Sequence, residues 1–485
     1  MSGTQALHKA LFPLSSSDYL SFFFAIGGLV ISSIGGVGGG GILVPIYTLV
    51  MGFNPKHSIP LSNVTVLGGA MANFLLNYPK RHPNPSVSRP LIDWDLVAVM
   101  EPLTMAGALI GAFINKVLSE GVIAVMLVVL LLATARSTIA KANKIYQRET
   151  AELKRGPESE MIRMAERSPS FRRGQGRSLS GGGADGDGAE GEEGNCFNQN
   201  QEEEEEEDDD ECGDAGHAYD EEEDDAPLLR DDDRTDSRDP SRVYQSSELR
   251  KILKEEAEAP VWRIASLVGM CVVVLVLNLV KGGGGFSPLG IKCGSPGFWT
   301  TNALILLWIG FYSFLVRLDL LNRFAQKERI NFRYVEGDVR WTPRNTFIYP
   351  TICAVAGLCA GMFGIGGGIV KGPLMLAMNV HPSVSSATSA TMILYTAFTA
   401  TTSFIAFGLL VKDYALACFV LGFVATYGGQ ILMTSVIDKT GRSSYIAYSI
   451  GGVVLVSAFM MGVQSLIMYV EGKNLASGGI CGKEH

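Results

Sequence analysis

Ten stretches of this chain are too apolar to lie on the surface of a soluble protein. They run Leu20 to Val50, Ser58 to Tyr78, Leu96 to Asn115 and Val122 to Ile139, then Ile264 to Val280, Trp299 to Val316, Phe347 to Val380, Ser386 to Leu410, Tyr414 to Ile437 and Tyr445 to Val470. A helix needs roughly 20 apolar residues to cross a bilayer. Soluble helices keep a polar face, yet Val122 to Ala133 and Ile264 to Leu277 are apolar almost all round. The expected fold is an all-α polytopic membrane protein with about ten transmembrane segments. Little positive charge precedes the first segment and no small-residue cleavage pattern follows it, so it reads as mature protein.

Two of the ten segments are interrupted in the same way. The first carries Gly36-Val37-Gly38-Gly39-Gly40 and Pro45, followed by Met51, Pro55, Ser58 and Ser62. The second carries Gly364-Ile365-Gly366-Gly367-Gly368 and Pro373, followed by Met378, Pro382, Ser385 and Ser389. The copies lie 364 − 36 = 328 positions apart, with a one-residue gap between Pro45 and Met51. Each is followed by three further apolar segments. The chain thus divides into a first repeat (17–142), a loop (143–260), two extra segments with a basic loop (261–345), a second repeat (346–470) and a short tail (471–485).

Consecutive glycines leave the backbone free, and proline removes a donor and clashes with the preceding turn. Together they break a helix inside the bilayer. Freed backbone groups are tolerated there only when buried in protein or facing water, and the amides that open the next half-helix can hold an anion. Paired broken helices are a transporter signature, although small residues also serve close helix packing. Lys371 stands between the second glycine run and Pro373, and a charge at membrane depth is a functional candidate to attract an anion. Ile42 to Val44, the matching stretch, has no lysine. Asn63, Asn73 and Asn77 line the segment after the first break, the latter two on one helix face. Ser385 and Ser389 open the segment after the second. Such groups replace part of an anion's hydration shell or fasten helices together. Glu101, before Pro102, is a candidate proton relay, and Gln430 is a further polar residue of the ninth segment.

Charge orients the segments. Lys80, Arg81 and Arg89, then Arg136, Lys141, Lys144 and Arg148, then Arg317 to Arg344, mark three cytoplasmic loops. Ten crossings place both termini and the insert in the cytoplasm as well, with Lys439 and Arg442 outside, against the rule. The membrane itself is a plasma membrane or an endomembrane. The net charge is −9, but Gly181 to Pro240 holds 27 acidic and 3 basic residues. The insert is basic, then glycine-rich, then acidic, with Glu202 to Glu211 unbroken, and this composition reads as disorder. Within it Asp224-Asp225-Ala226-Pro227-Leu228-Leu229 has the form of an acidic dileucine sorting signal. Asp224, Leu228 and Leu229 would meet a sorting adaptor, and the acids could meet a basic partner.

No catalytic set, cofactor loop or metal site is visible. The six histidines are scattered in sequence, and the eight cysteines form no CxxC pair. Nothing suggests nucleic-acid binding, and nothing sets an oligomeric state. The implied partners are the lipid bilayer and a small anionic substrate. A channel or uncoupled facilitator, and a receptor or scaffold using the acidic insert, are the other readings.

The two glycine runs, their prolines and each copy's MxxxP turn resemble the TauE/SafE sulfite-exporter family of membrane permeases. The resemblance covers about half the chain, Tyr19 to Lys141 and Thr346 to Val470. It implies secondary transport of a small sulfur-containing or organic anion such as sulfite or a sulfonate, with proton coupling as one mode, and no enzyme activity. The long insert and the two extra segments depart from the compact bacterial pattern and suggest a eukaryotic member.

Overall fold

The computed structural model describes residues 11, 13–33, 38–84, 89–167, 240–258, 260–281, 291, 294–330, 332, 334, 337–440 and 444–470. Gly36 and the dileucine residues Asp224, Leu228 and Leu229 lie outside them. The chain divides into two units, Lys154–Val243 and the remainder. Of the former, the described residues are the last turns of one helix and the first residues of another.

The larger unit is helical, in the order α1 (Ser16–Ser33), α2 (Gly40–Leu49), α3 (Pro55–Asn77), α4 (Trp94–Val117), α5 (Glu120–Arg167), α6 (Pro240–Ala257), α7 (Val261–Val280), α8 (Pro296–Arg329), α9 (Asn345–Phe363), α10 (Gly368–Ala377), α11 (Pro382–Phe407), α12 (Lys412–Thr440) and α13 (Ser444–Val470). Each of the ten apolar segments contains helix among its described residues. Among the described residues, eight helices are long and apolar enough to cross a membrane. Phe23, Leu307, Leu416 and Phe459 are among many large apolar side chains exposed on the outside, where lipid rather than water accounts for them. The loop read as disordered is helical at both ends, through Arg167 and from Pro240. These ends are rich in Glu, Ala, Lys and Arg, which favour helix even without a core.

Chain direction shows what the glycine breaks do. α9 runs parallel to α4: a Cβ on Gly357 would strike the carbonyl oxygen of Thr104, and one on Gly361 that of Ala108. α11 also runs parallel to α4, because Asp93 pairs with Thr388 and Glu101 with Thr396. Successive long helices that run parallel require the chain to return between them, and α10 is that return. The first half behaves alike. α1 parallels α12 through Asp18 with Tyr414 and Val30 with Gly429, and α3 parallels α12 through Thr65 with Gly422 and Gly69 with Thr426. α2 is the return. At about 1.5 Å per residue, each ten-residue return helix rises about 15 Å, half the bilayer core.

Each interrupted segment therefore reverses direction within itself. These reversals are changes of direction that the ten-crossing reading did not count, and they set the start of the chain at the other end of the bundle. Ser16 lies at the end of the bundle opposite Arg89. α13 starts beside α5, with Ser444 N–H donating to Glu149 Oε1 and Tyr448 to Asn143, and runs away from the Arg89 end. The end of α12 that carries Lys439 falls on the Arg89 side, which removes the conflict with the charge rule.

The close packing of α4 on α9 rests on two GxxxG pairs. Gly107 and Gly111 of α4 face Gly357 and Gly361 of α9, each with a backbone atom of the other helix occupying the place where a Cβ would stand. Small residues let membrane helices approach this closely. The spacing of these four glycines is a packing motif in the sequence too, but the longer glycine runs draw attention away from it.

Candidate functional site

The two folded-back pairs meet at their tips. A Cβ on Gly40 would lie 2.5 Å from Gly364 O, so the tips touch through backbone. Ser62 Oγ contacts Gly40 O at 3.3 Å and donates to Gly364 O at 3.0 Å. Gly38 and Gly366 pack on the same two side chains, Val66 of α3 and Ile393 of α11. Gly39 and Gly367 hold φ of 68° and 75°, the left-handed region open to glycine. They are the N-caps of α2 and α10, and neither helix start is capped by a side chain. Two helix N-termini, neither with a side-chain cap, thus begin where the tips meet.

Lys371 lies in the first turn of α10 and is fully buried. Its Nζ donates to Glu101 Oε2 at 2.7 Å and to Thr396 Oγ1 at 2.9 Å. Thr396 Oγ1 donates to Glu101 Oε1 at 2.6 Å, closing a three-membered ring of contacts. Glu101 is fully buried too. A lone buried charge is very costly, and pairing it with good hydrogen bonds is what makes it tolerable. Two of the three ammonium donors are placed; the third has no acceptor among the described residues. Lys371 and Glu101 were separate candidates in the sequence, one for anion attraction and one for proton relay. They form a single unit.

The other candidates divide. Pro45 and Pro373 sit inside α2 and α10, and Gly368 opens α10. Ser385 Oγ donates to Gly372 O at 3.3 Å, beside Lys371 in sequence. Ser389 is buried on the same helix. Asn63 and Asn73 are buried with their Oδ1 atoms unpartnered among the described residues. Asn77 instead accepts from Lys80 Nζ at 3.1 Å, a helix-end role. Gln430 is buried on α12 with an unpartnered Oε1, next to the Gly429 contact with α1.

A cavity of about 130 Å³ opens at the end of the bundle where α4 and α11 begin. Arg89 bridges Glu256 and Asp338 at 2.5 and 2.7 Å, Lys327 pairs with Glu256 at 2.5 Å, and Arg263 pairs with Asp95 and Asp319. His82 and His381, scattered in sequence, come together here with ring centroids 6.3 Å apart. His381 Nδ1 accepts from Ser383 N and so caps α11. Burial, and then His82, hold its pKa below the usual histidine value. Burial, and then Asp95, push Asp93 up to about 6.

An apolar-faced helical bundle with two folded-back helix pairs and a buried ion pair beside their junction defines a polytopic membrane protein. The sequence profile of the family described as Sulfite exporter TauE/SafE matches residues 20–182 and 262–461. The chain belongs to that family, which places it among membrane transporters of anions. It is 26% identical over 445 residues to Sulfite exporter TauE/SafE family protein 3 of Arabidopsis thaliana, covering 90% of this chain and 76% of the relative. Family protein 5 of the same plant is 25% identical over 468 residues, 95% and 87% of the two chains. No solved structure matches.

Proposed function

We propose that this protein is a secondary transporter of a small anion, sulfite or an organosulfonate, driven by exchange of partners at Lys371. The closed Lys371–Glu101–Thr396 network carries this reading. In the empty state Glu101 neutralises the lysine. Protonation of Glu101 leaves a buried ammonium without its counter-charge, and an anion entering between the two helix N-termini replaces it. Departure of the anion returns Glu101 to the carboxylate form. One proton therefore accompanies one anion charge. The duplicated tips are the elements that rearrange, as two homologous repeats moving against each other.

The basic loops and the positive-inside rule support a cytoplasmic Arg89 end. The insert is then cytoplasmic, while Ser16 and Val470 lie at the exterior face. The acidic insert and its dileucine pattern serve sorting or regulation.

The test is flux of labelled sulfite, and of a small sulfonate, into proteoliposomes. Lys371→Met should abolish uptake in protein that still elutes as a single folded species. Undiminished uptake by that variant contradicts the role given to the lysine. Accelerated exchange when unlabelled anion is present on the far side identifies a carrier rather than a channel.

A further inference from the structure

A pair of amines gathers at the other end of α4 and α7. Lys116 stands at the end of α4 and Lys281 directly follows α7. Their Nζ atoms lie 4.8 and 5.3 Å from the centroid of the Phe407 ring, at the end of α11. Lysines at helix ends normally extend their heads to water. These two turn inward, with 9% and 2% of their surfaces exposed. Lys281 also donates to Asn302 Oδ1 of α8 at 3.2 Å.

The described partners of Lys281 are all neutral: a ring and an amide oxygen. Among the described residues, the charge that acts on it is the like charge of Lys116. A helix C-terminus and the ring face favour a cation but do not cancel the charge of Lys281. The chemistry that would is a small oxyanion, whose oxygens accept from both ammonium groups. The position suits a path to Lys371. Along α4, Glu101 and Lys116 are separated by about 22 Å of helix rise, and along α11 Thr396 and Phe407 by about 16 Å. Thr399 and Ser403 lie between, at helical steps that keep them on the face of Thr396.

We propose that Lys116 and Lys281 form a second anion site, which takes a sulfite- or sulfonate-like oxyanion at the membrane face opposite Arg89. Its role in loading Lys371 rests on the transport reading. Its ability to bind does not.

The experiment compares wild type with the K116M/K281M double variant and its double-arginine counterpart. In proteoliposomes, uptake of labelled sulfite from the Lys116 face should need about tenfold more anion for half-saturation in the methionine variant, the scale of about 1.4 kcal/mol of lost binding. Uptake from the Arg89 face should change less, and arginines should restore the wild-type value. An unchanged half-saturation in folded double variant overturns the proposal and leaves the lysines as fasteners of helix ends. Binding is read separately in a Lys371→Met background, which lacks the inner site. There, sulfite should raise the thermal unfolding temperature, and adding K116M/K281M should remove the rise. No rise in the background, or the same rise without the two lysines, overturns the site. Absence of sulfite and sulfonate flux in wild type would refute the transport reading, with the binding arm still decisive for the site.

Discussion

The two folded-back pairs share a backbone and differ in chemistry. Both tips use glycines in the left-handed region, both start a ten-residue helix without a side-chain cap, and both pack on Val66 and Ile393. At the offset of 328, however, Leu43 stands where the second pair holds Lys371 (371 − 43 = 328). Leu43 is buried among Ala25, Leu29, Ile46 and other apolar side chains. The following helices differ too. With the one-residue gap, Thr396 of α11 answers to Gly69 of α3 (396 − 327 = 69), and Asn63 and Asn73 answer to Ala390 and Ala400. Glycine placement builds the junction twice. The ion pair is built once, at the second tip, and the proposed exchange of partners is confined to that half.

The largest expected effect breaks what the halves share. Gly40→Val drives a side chain into the backbone of Gly364 and Ile365 and should cost about 3 kcal/mol or more. Folded yield and thermal unfolding in detergent check this. At Gly27 nothing lies within 4 Å of where a Cβ would stand, so Gly27→Ala should stay within about 0.5 kcal/mol.

The next breaks the asymmetry. Leu43→Met keeps volume and apolarity and should cost under about 1.5 kcal/mol, with anion flux close to wild type. Lys371→Met should lose flux by about a hundredfold or more, about 2.7 kcal/mol of binding or barrier. Equal loss in the two variants would mean that the halves contribute alike.

The smallest concerns the helix starts that follow each pair. His381 caps α11 through Nδ1, while Asn54, its counterpart at α3, makes no side-chain cap. The native state holds His381 below the usual histidine value, whereas the unfolded chain takes up a proton near about 6.5. The cap therefore contributes fully above that value and is lost as pH falls below it. Thermal stability should drop on acidification by an amount set by one cap, about 1 kcal/mol, and His381→Asn should flatten this part of the profile.

Much of this was legible in the sequence. Glycine and proline reveal themselves locally, so both breaks and the charge between them could be read directly. Their fold-back could not, because an interrupted apolar stretch has the same composition whether it crosses or returns. Only the parallel course of α4, α9 and α11 separates the two, and that is a property of distant contacts. The Lys371–Glu101 pair was hidden for the same reason: 270 positions lie between its members. Lys116 and Lys281 stand at the ends of apolar segments in the sequence, and nothing local says that they turn inward onto Phe407.

The central claim is that Glu101 and the anion alternate as partners of Lys371. It is tested most directly by initial sulfite flux into proteoliposomes under imposed proton gradients, for wild type and Glu101→Gln. Glutamine mimics the protonated carboxyl at nearly the same shape. Wild-type flux should rise when the gradient and the anion run in the same direction, and the glutamine variant should bind and exchange anion with no response to the gradient. A variant that follows the gradient as wild type does would contradict the account.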